Sequence, residues 1–81
     1  MVLFVAPGTG GVALVAGRKV GGAVQRNRAR RILREALRAV APQGLGRRDV
    51  VLVAREQIRG ARTYELTDEM SELLERGGAG S

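Results

Sequence analysis

An 81-residue chain of net charge +6, without cysteine or histidine, has room for one small domain. The two absences exclude disulfides and thiolate metal sites, and they remove the commonest general base and metal ligand. No apolar run reaches the roughly 18 residues of a membrane span, and Met1 to Ala6 lacks the basic flank of a signal peptide, so the expectation is a cytoplasmic protein whose partner is a polyanion rather than a membrane.

Val2 to Ala6 (VLFVA) is predicted as a strand, Pro7 to Gly11 as a turn, and Val12 to Ala16 (VALVA) as a second strand forming a hairpin with the first. Both strands are apolar without clean alternation. That pattern fits a sheet covered on both faces, or one with a face kept for a ligand or another piece of protein. Gly17 to Gly22 is a basic loop. A helix is expected from about Arg26 to Val40, with Ala29, Ile32, Leu33, Ala36, Leu37 and Val40 on one side and Asn27, Arg30, Arg31, Arg34 and Arg38 on the other. Arg30, Arg34 and Arg38 form a stripe, Arg26 borders the apolar arc, and Arg28 lies off the stripe near Glu35. Pro42 and Gly44 stop this helix.

Asp49 to Ala54 (DVVLVA) carries the strongest strand signal, with Asp49 opening it, and Gln57 to Arg62 reads as a loop. Thr63 is placed to cap a last helix running to Arg76. Leu66, Met70, Leu73 and Leu74 give that helix an apolar side, and Glu65, Asp68, Glu69, Glu72 and Glu75 give it an acidic, solvated one. The order β-β-α-β-α defines an α+β domain, a two-layer sandwich, over residues 1–76, with 77–81 expected as a disordered tail.

Charge is unevenly distributed. Gly17 to Arg38 holds eight basic residues and one acid, Glu35, a local charge of 8 − 1 = +7, so the remainder sums to 6 − 7 = −1. Like charges one turn apart repel by a few tenths of a kcal/mol per pair, a cost that phosphates relieve. Arg outnumbers Lys thirteen to one, and guanidinium both forks onto phosphate and stacks on bases. A membrane-surface helix would need large apolar anchors, whereas Ile32, Leu33 and Leu37 are required by the fold's own core. Gly17, Gly21 and Gly22 show no Walker pattern and read as a tight entry into the helix. With no convincing carboxylate cluster, the chain offers no catalytic residue and no metal site of its own.

The run Lys19-Val20-Gly21, Ala23-Val24, Arg26-Asn27-Arg28, Arg31 and Arg34-Glu35 resembles the signature of the bacterial ribonuclease P protein subunit. Outward, Asp49 to Arg55, Thr63 to Leu74 and Val2 to Pro7 resemble that family's next strand, last helix and first strand, so the likeness covers about residues 2 to 76. The resemblance implies an accessory subunit of an endoribonuclease whose RNA subunit removes the 5′ leader of precursor tRNA with Mg²⁺. It implies partners in that catalytic RNA and in the leader, and a left-handed β-α-β crossover around the Arg-Asn-Arg helix. By position, Arg26, Asn27, Arg28, Arg30, Arg31 and Arg34 would face the RNA or lie beside the leader. Arg18 and Lys19 would extend the surface, and Arg38 ends the stripe. Phe4 falls where the family carries an aromatic toward the leader; plain core packing is the other reading of that residue.

The family pattern also starts with a basic tail, an aromatic-bearing helix and the beginning of the first strand, and Met1 here falls inside that strand. A start codon placed too far downstream is the favoured expectation, ahead of a truncated gene or a short form. A non-catalytic RNA-binding or ribosome-associated module and an inactive fragment are the competing functional readings.

Overall fold

A computed structural model describes residues 1–80, with side-chain burial described for 1–77. The elements in chain order are β1 (Val2–Pro7), β2 (Val12–Ala16), α1 (Ala23–Val40), β3 (Arg48–Ala54), α2 (Thr63–Arg76) and β4 (Gly78–Gly80). Single 3-10 turns at Arg18–Val20 and Glu56–Ile58 precede the two helices.

The strand with the strongest sequence signal sits inside the sheet, whose order is β2-β3-β1-β4. β2 runs parallel to β3, with Val12 opposite Val50 and Ala16 opposite Ala54. β1 runs antiparallel to β3, with Val2 opposite Val53 and Pro7 opposite Arg48. The expected β1–β2 hairpin is therefore not formed, because β3 lies between its two arms. Crossing β3 takes two strand spacings, about 10 Å, and the four residues Gly8 to Gly11 reach about 13 Å, so a short loop suffices.

That loop is fastened by a residue far along the chain. Asp49 Oδ1 accepts hydrogen bonds from the backbone N–H groups of Thr9 (3.0 Å), Gly10 (3.2 Å) and Gly11 (2.8 Å). Those donors, Gly11 first and then Thr9, hold the Asp49 carboxyl below the ordinary carboxylate range. The latch is thus complete above that range and is released only as pH falls through the lowered value. A side chain at Gly8 would overlap the Asp49 carboxylate, which explains the glycine there.

Both helices cover one face of the sheet. Leu3, Val50, Leu52 and Ala54 point into the layer beneath them and meet Ala29, Ile32, Leu33, Ala36 and Leu37 of α1 and Leu66, Met70, Leu73 and Leu74 of α2. Each large aliphatic side chain fully buried there contributes about 1.5–3 kcal/mol. The expected inward face of α1 is borne out, with Val40 packed at its margin.

Several boundaries differ from the sequence expectation; β1 runs on through Pro7, and β3 opens at Arg48 rather than Asp49. α1 starts at Ala23 rather than Arg26, because the Arg26 N–H already bonds Gly22 O at 2.9 Å although the first turn carries no apolar periodicity. Thr63 does not cap α2: its hydroxyl donates to Glu35 Oε2 (3.0 Å), while Glu65 Oε2 accepts the Arg62 N–H (3.3 Å) at the helix start. Gly77 ends α2 with its N–H on Leu73 O and Leu74 O. Beyond it Gly78–Gly80, expected within a disordered tail, pair antiparallel with β1; Ser81 lies outside the described residues.

Candidate nucleic-acid interface

α1 projects its arginines because its other side is consumed by the core. The structure divides the nine sequence-predicted basic-surface residues among several places. Arg30, Arg34 and Arg38 line the side of α1 toward β2, above Val12, Leu14 and Leu37. Successive members of this stripe are about 6 Å apart along the helix axis. Arg30 Nη1 donates to Asn27 Oδ1 (2.9 Å), which fixes that guanidinium beside the first turn. Arg26 is half-buried and Asn27 is exposed in that same turn.

Arg28 and Arg31 line the opposite side, toward the start of α2, with Glu35, Arg62 and Thr63. Arg28 Nη2 donates to Ala61 O (2.9 Å). This guanidinium therefore braces α1 against the loop before α2. Arg18 and Lys19 sit on the turn after β2, where a third depression also includes Arg55, Glu56, Val15 and Val53. Gly21, at φ +134°, turns the chain from there into α1, and a Cβ at that position would press on Gln25.

Among the described residues the ion pairs are those of the Met1 α-amino group with Glu69 (3.5 Å) and of Arg76 with Glu72 (2.8 Å). No α1 arginine pairs with an acid there. Glu35, the acid on α1, spends an oxygen on Thr63. The positive field of the helix thus stands uncompensated within the fold.

Phe4 is not a core residue. It is 56% exposed on the sheet face that carries no helix. Strand alternation puts Val2 of β1, Val51 and Val53 of β3, and Ala13 and Val15 of β2 on that same face. At one end this apolar face runs into the Arg18, Lys19 and Arg55 group through Val15 and Val53. Sequence reading missed Arg55 and Arg62 as members of the basic surface. Each stands alone in a loop remote in sequence from its neighbours, so no local pattern marks it. No helix of the described residues is long and apolar enough to cross a membrane.

The fold and this surface define a class, the small α+β sandwich with an arginine-faced crossover helix. Solved structures share the architecture. The RNase P protein from Thermotoga maritima superposes with a TM-score of 0.75 at 21% identity, covering 91% of this chain and 74% of that one. The Staphylococcus aureus RNase P protein gives 0.66 at 20% identity, covering 91% and 72%. In sequence, the family model described as Ribonuclease P matches residues 1–78. The ribonuclease P protein component of Symbiobacterium thermophilum is 43% identical over 67 residues, 83% of this chain and 58% of that protein. That of Chloroflexus aurantiacus is 41% identical over 78 residues, 91% of this chain and 58% of that protein. The chain belongs to the ribonuclease P protein component family, and it spans 58% of the length of these two relatives.

Proposed function

We propose that this chain is the RNA-holding part of a ribonuclease P holoenzyme, an endoribonuclease, and that it assists removal of the 5′ leader from precursor tRNA. The observation that carries the reading is the arginine field of α1, unopposed by any acid among the described ion pairs, in a chain of this family. Arg30, Arg34 and Arg38 on one flank, and Arg28 and Arg31 on the other, meet phosphates of the catalytic RNA. Arg26 and Asn27 contact it at the first turn. Guanidinium forks fix the register of the helix on that RNA without reading its sequence.

The leader lies on the open sheet face. Its bases meet Phe4, where stacking contributes about 1–3 kcal/mol per base, and its backbone follows the cations of Arg18 and Lys19. Hydrolysis belongs to the RNA subunit with its Mg²⁺. The part of this chain is to neutralise phosphate repulsion and to raise affinity for substrate and metal on that RNA.

Reconstitution with the cognate catalytic RNA at low Mg²⁺ tests the reading. Faster cleavage of precursor tRNA is expected, with the stimulation reduced in Phe4→Ala for long leaders and unchanged for a one-nucleotide leader. RNA binding without any stimulation of cleavage would overturn it in favour of a non-catalytic RNA-binding module.

A further inference from the structure

The groove between α1 and β2 has a composition that phosphate binding alone does not require. One wall is the Arg30, Arg34 and Arg38 stripe; the other wall and the floor are Val12, Leu14 and Leu37, with Pro42 at one end. Its volume is about 500 Å³, within the ~300–1,000 Å³ of pockets that hold small organic groups. No acid lines it. Among the described residues β2 pairs only with β3, so the outer edge of this strand leaves backbone N–H and C=O groups without a strand partner. An array of cations on a solvated face needs no apolar trough beneath it. A flat, base-paired RNA surface would leave that trough wet, and it would leave Val12 46% exposed, as it is without RNA.

We propose that this groove is a subsite for one unpaired nucleotide of RNA, whose base leaves its stack and enters between α1 and the edge of β2. The proposal rests on the RNA-binding reading above and adds to it a distinct site on the helix-covered side of the sheet, opposite Phe4. The base lies on Leu14 and Leu37 and is covered by the plane of an arginine, which stacks on bases as an aromatic ring does. The flanking phosphates are taken by the two remaining arginines of the stripe. The free backbone groups of β2 face the hydrogen-bonding edge of the base. The Gly10 N–H is already held by Asp49, so anion recognition in the groove falls to the arginines. Single-stranded or bulged nucleotides are the only RNA elements that present a base in this way.

The test compares two RNA hairpins, one fully paired and one with a single bulged uridine, by fluorescence anisotropy with the intact chain. The bulged RNA is expected to bind about tenfold tighter, the discrimination that one stacked base provides. Val12→Trp fills the groove from an exposed position without touching charge. It is expected to abolish the preference while leaving the paired hairpin's affinity unchanged, with an unaltered circular dichroism melt. A 4-thiouridine at the bulge is expected to crosslink to peptides holding Leu14 or Leu37 to Pro42. Equal wild-type affinity for the two RNAs, or crosslinks on the Phe4 strand, would overturn the subsite and leave the RNA-binding reading standing. Absence of binding to either RNA would overturn both.

Discussion

α1 and α2 have the same inward chemistry and opposite outward chemistry. Both bury four or five aliphatic or small residues against one sheet face. Outward, α1 carries Arg26, Arg28, Arg30, Arg31, Arg34 and Arg38 with Glu35, and α2 carries Glu65, Asp68, Glu69, Glu72 and Glu75 with Arg76. The helices pack together, yet no ion pair joins them among the described residues. α2, with five acids and one arginine, therefore holds almost enough negative charge to offset the six arginines and one acid of α1, and keeps it turned away. A net charge of +6 understates the field that an approaching polyanion meets over α1.

The largest effect that tests this contrast is on RNA affinity. Neutralising Arg30→Gln, Arg34→Gln and Arg38→Gln together removes two phosphate contacts and the arginine plane over the base. That lowers the slope of log affinity against log salt by about 2 from an initial magnitude of roughly 4–5, and it weakens binding about a hundredfold at 0.15 M salt. The matching set on α2, Asp68→Asn, Glu72→Gln and Glu75→Gln, is expected to change affinity less than about threefold, since screening at that salt acts within ~8 Å. Salt-titrated binding of one structured RNA checks both. Equal losses from the two sets would erase the contrast.

The inward faces are expected to behave alike. Leu33 of α1 and Met70 of α2 are both 0% exposed. Leu33→Ala and Met70→Ala should each cost about 2–5 kcal/mol in urea unfolding. A near-neutral result at one of them would show that its helix is peripheral to the core. The smallest effect concerns the exposed Arg76–Glu72 pair. Arg76→Ala should lower stability by no more than about 0.5 kcal/mol and leave RNA affinity unchanged, readable from the same unfolding and binding curves.

Helical periodicity made the inward faces legible before any coordinates, because an apolar arc recurring every three or four residues has one structural use. The strand at Asp49 to Ala54 was legible from its β-branched run, but not its place between β1 and β2. The pairing of β1 was not. A Pro-Gly-rich turn between two strands is the ordinary mark of a hairpin, and the strand that separates its arms here lies beyond an 18-residue helix, where no local pattern announces it. The start of α2 was misread for a related reason: the helix begins at Thr63 itself, one residue past the cap position, and the Thr63 hydroxyl donates to Glu35 on another helix. At the surface, the stripe of Arg30, Arg34 and Arg38 followed from spacing. The braced state of Arg28, the joining of Arg55 and Arg62 to the basic surface, and the exposure of Phe4 all depend on tertiary neighbours. Sequence left Phe4 divided between core and ligand, and the placement of both helices on the other face of the sheet removes the core reading.

The insertion of β3 between β1 and β2 also sets a timetable. On a ribosome, residues 1–47 emerge as two strands and a helix before the strand that separates the two has appeared, and with the loop between the strands unlatched. The pairings of β1 and β2 with β3, and all three hydrogen bonds of the Asp49 latch, become available when one seven-residue segment appears. Assembly of this domain is therefore a late, single event rather than a gradual one. Until it occurs, the newborn chain displays an arginine-rich segment without a fold to aim it.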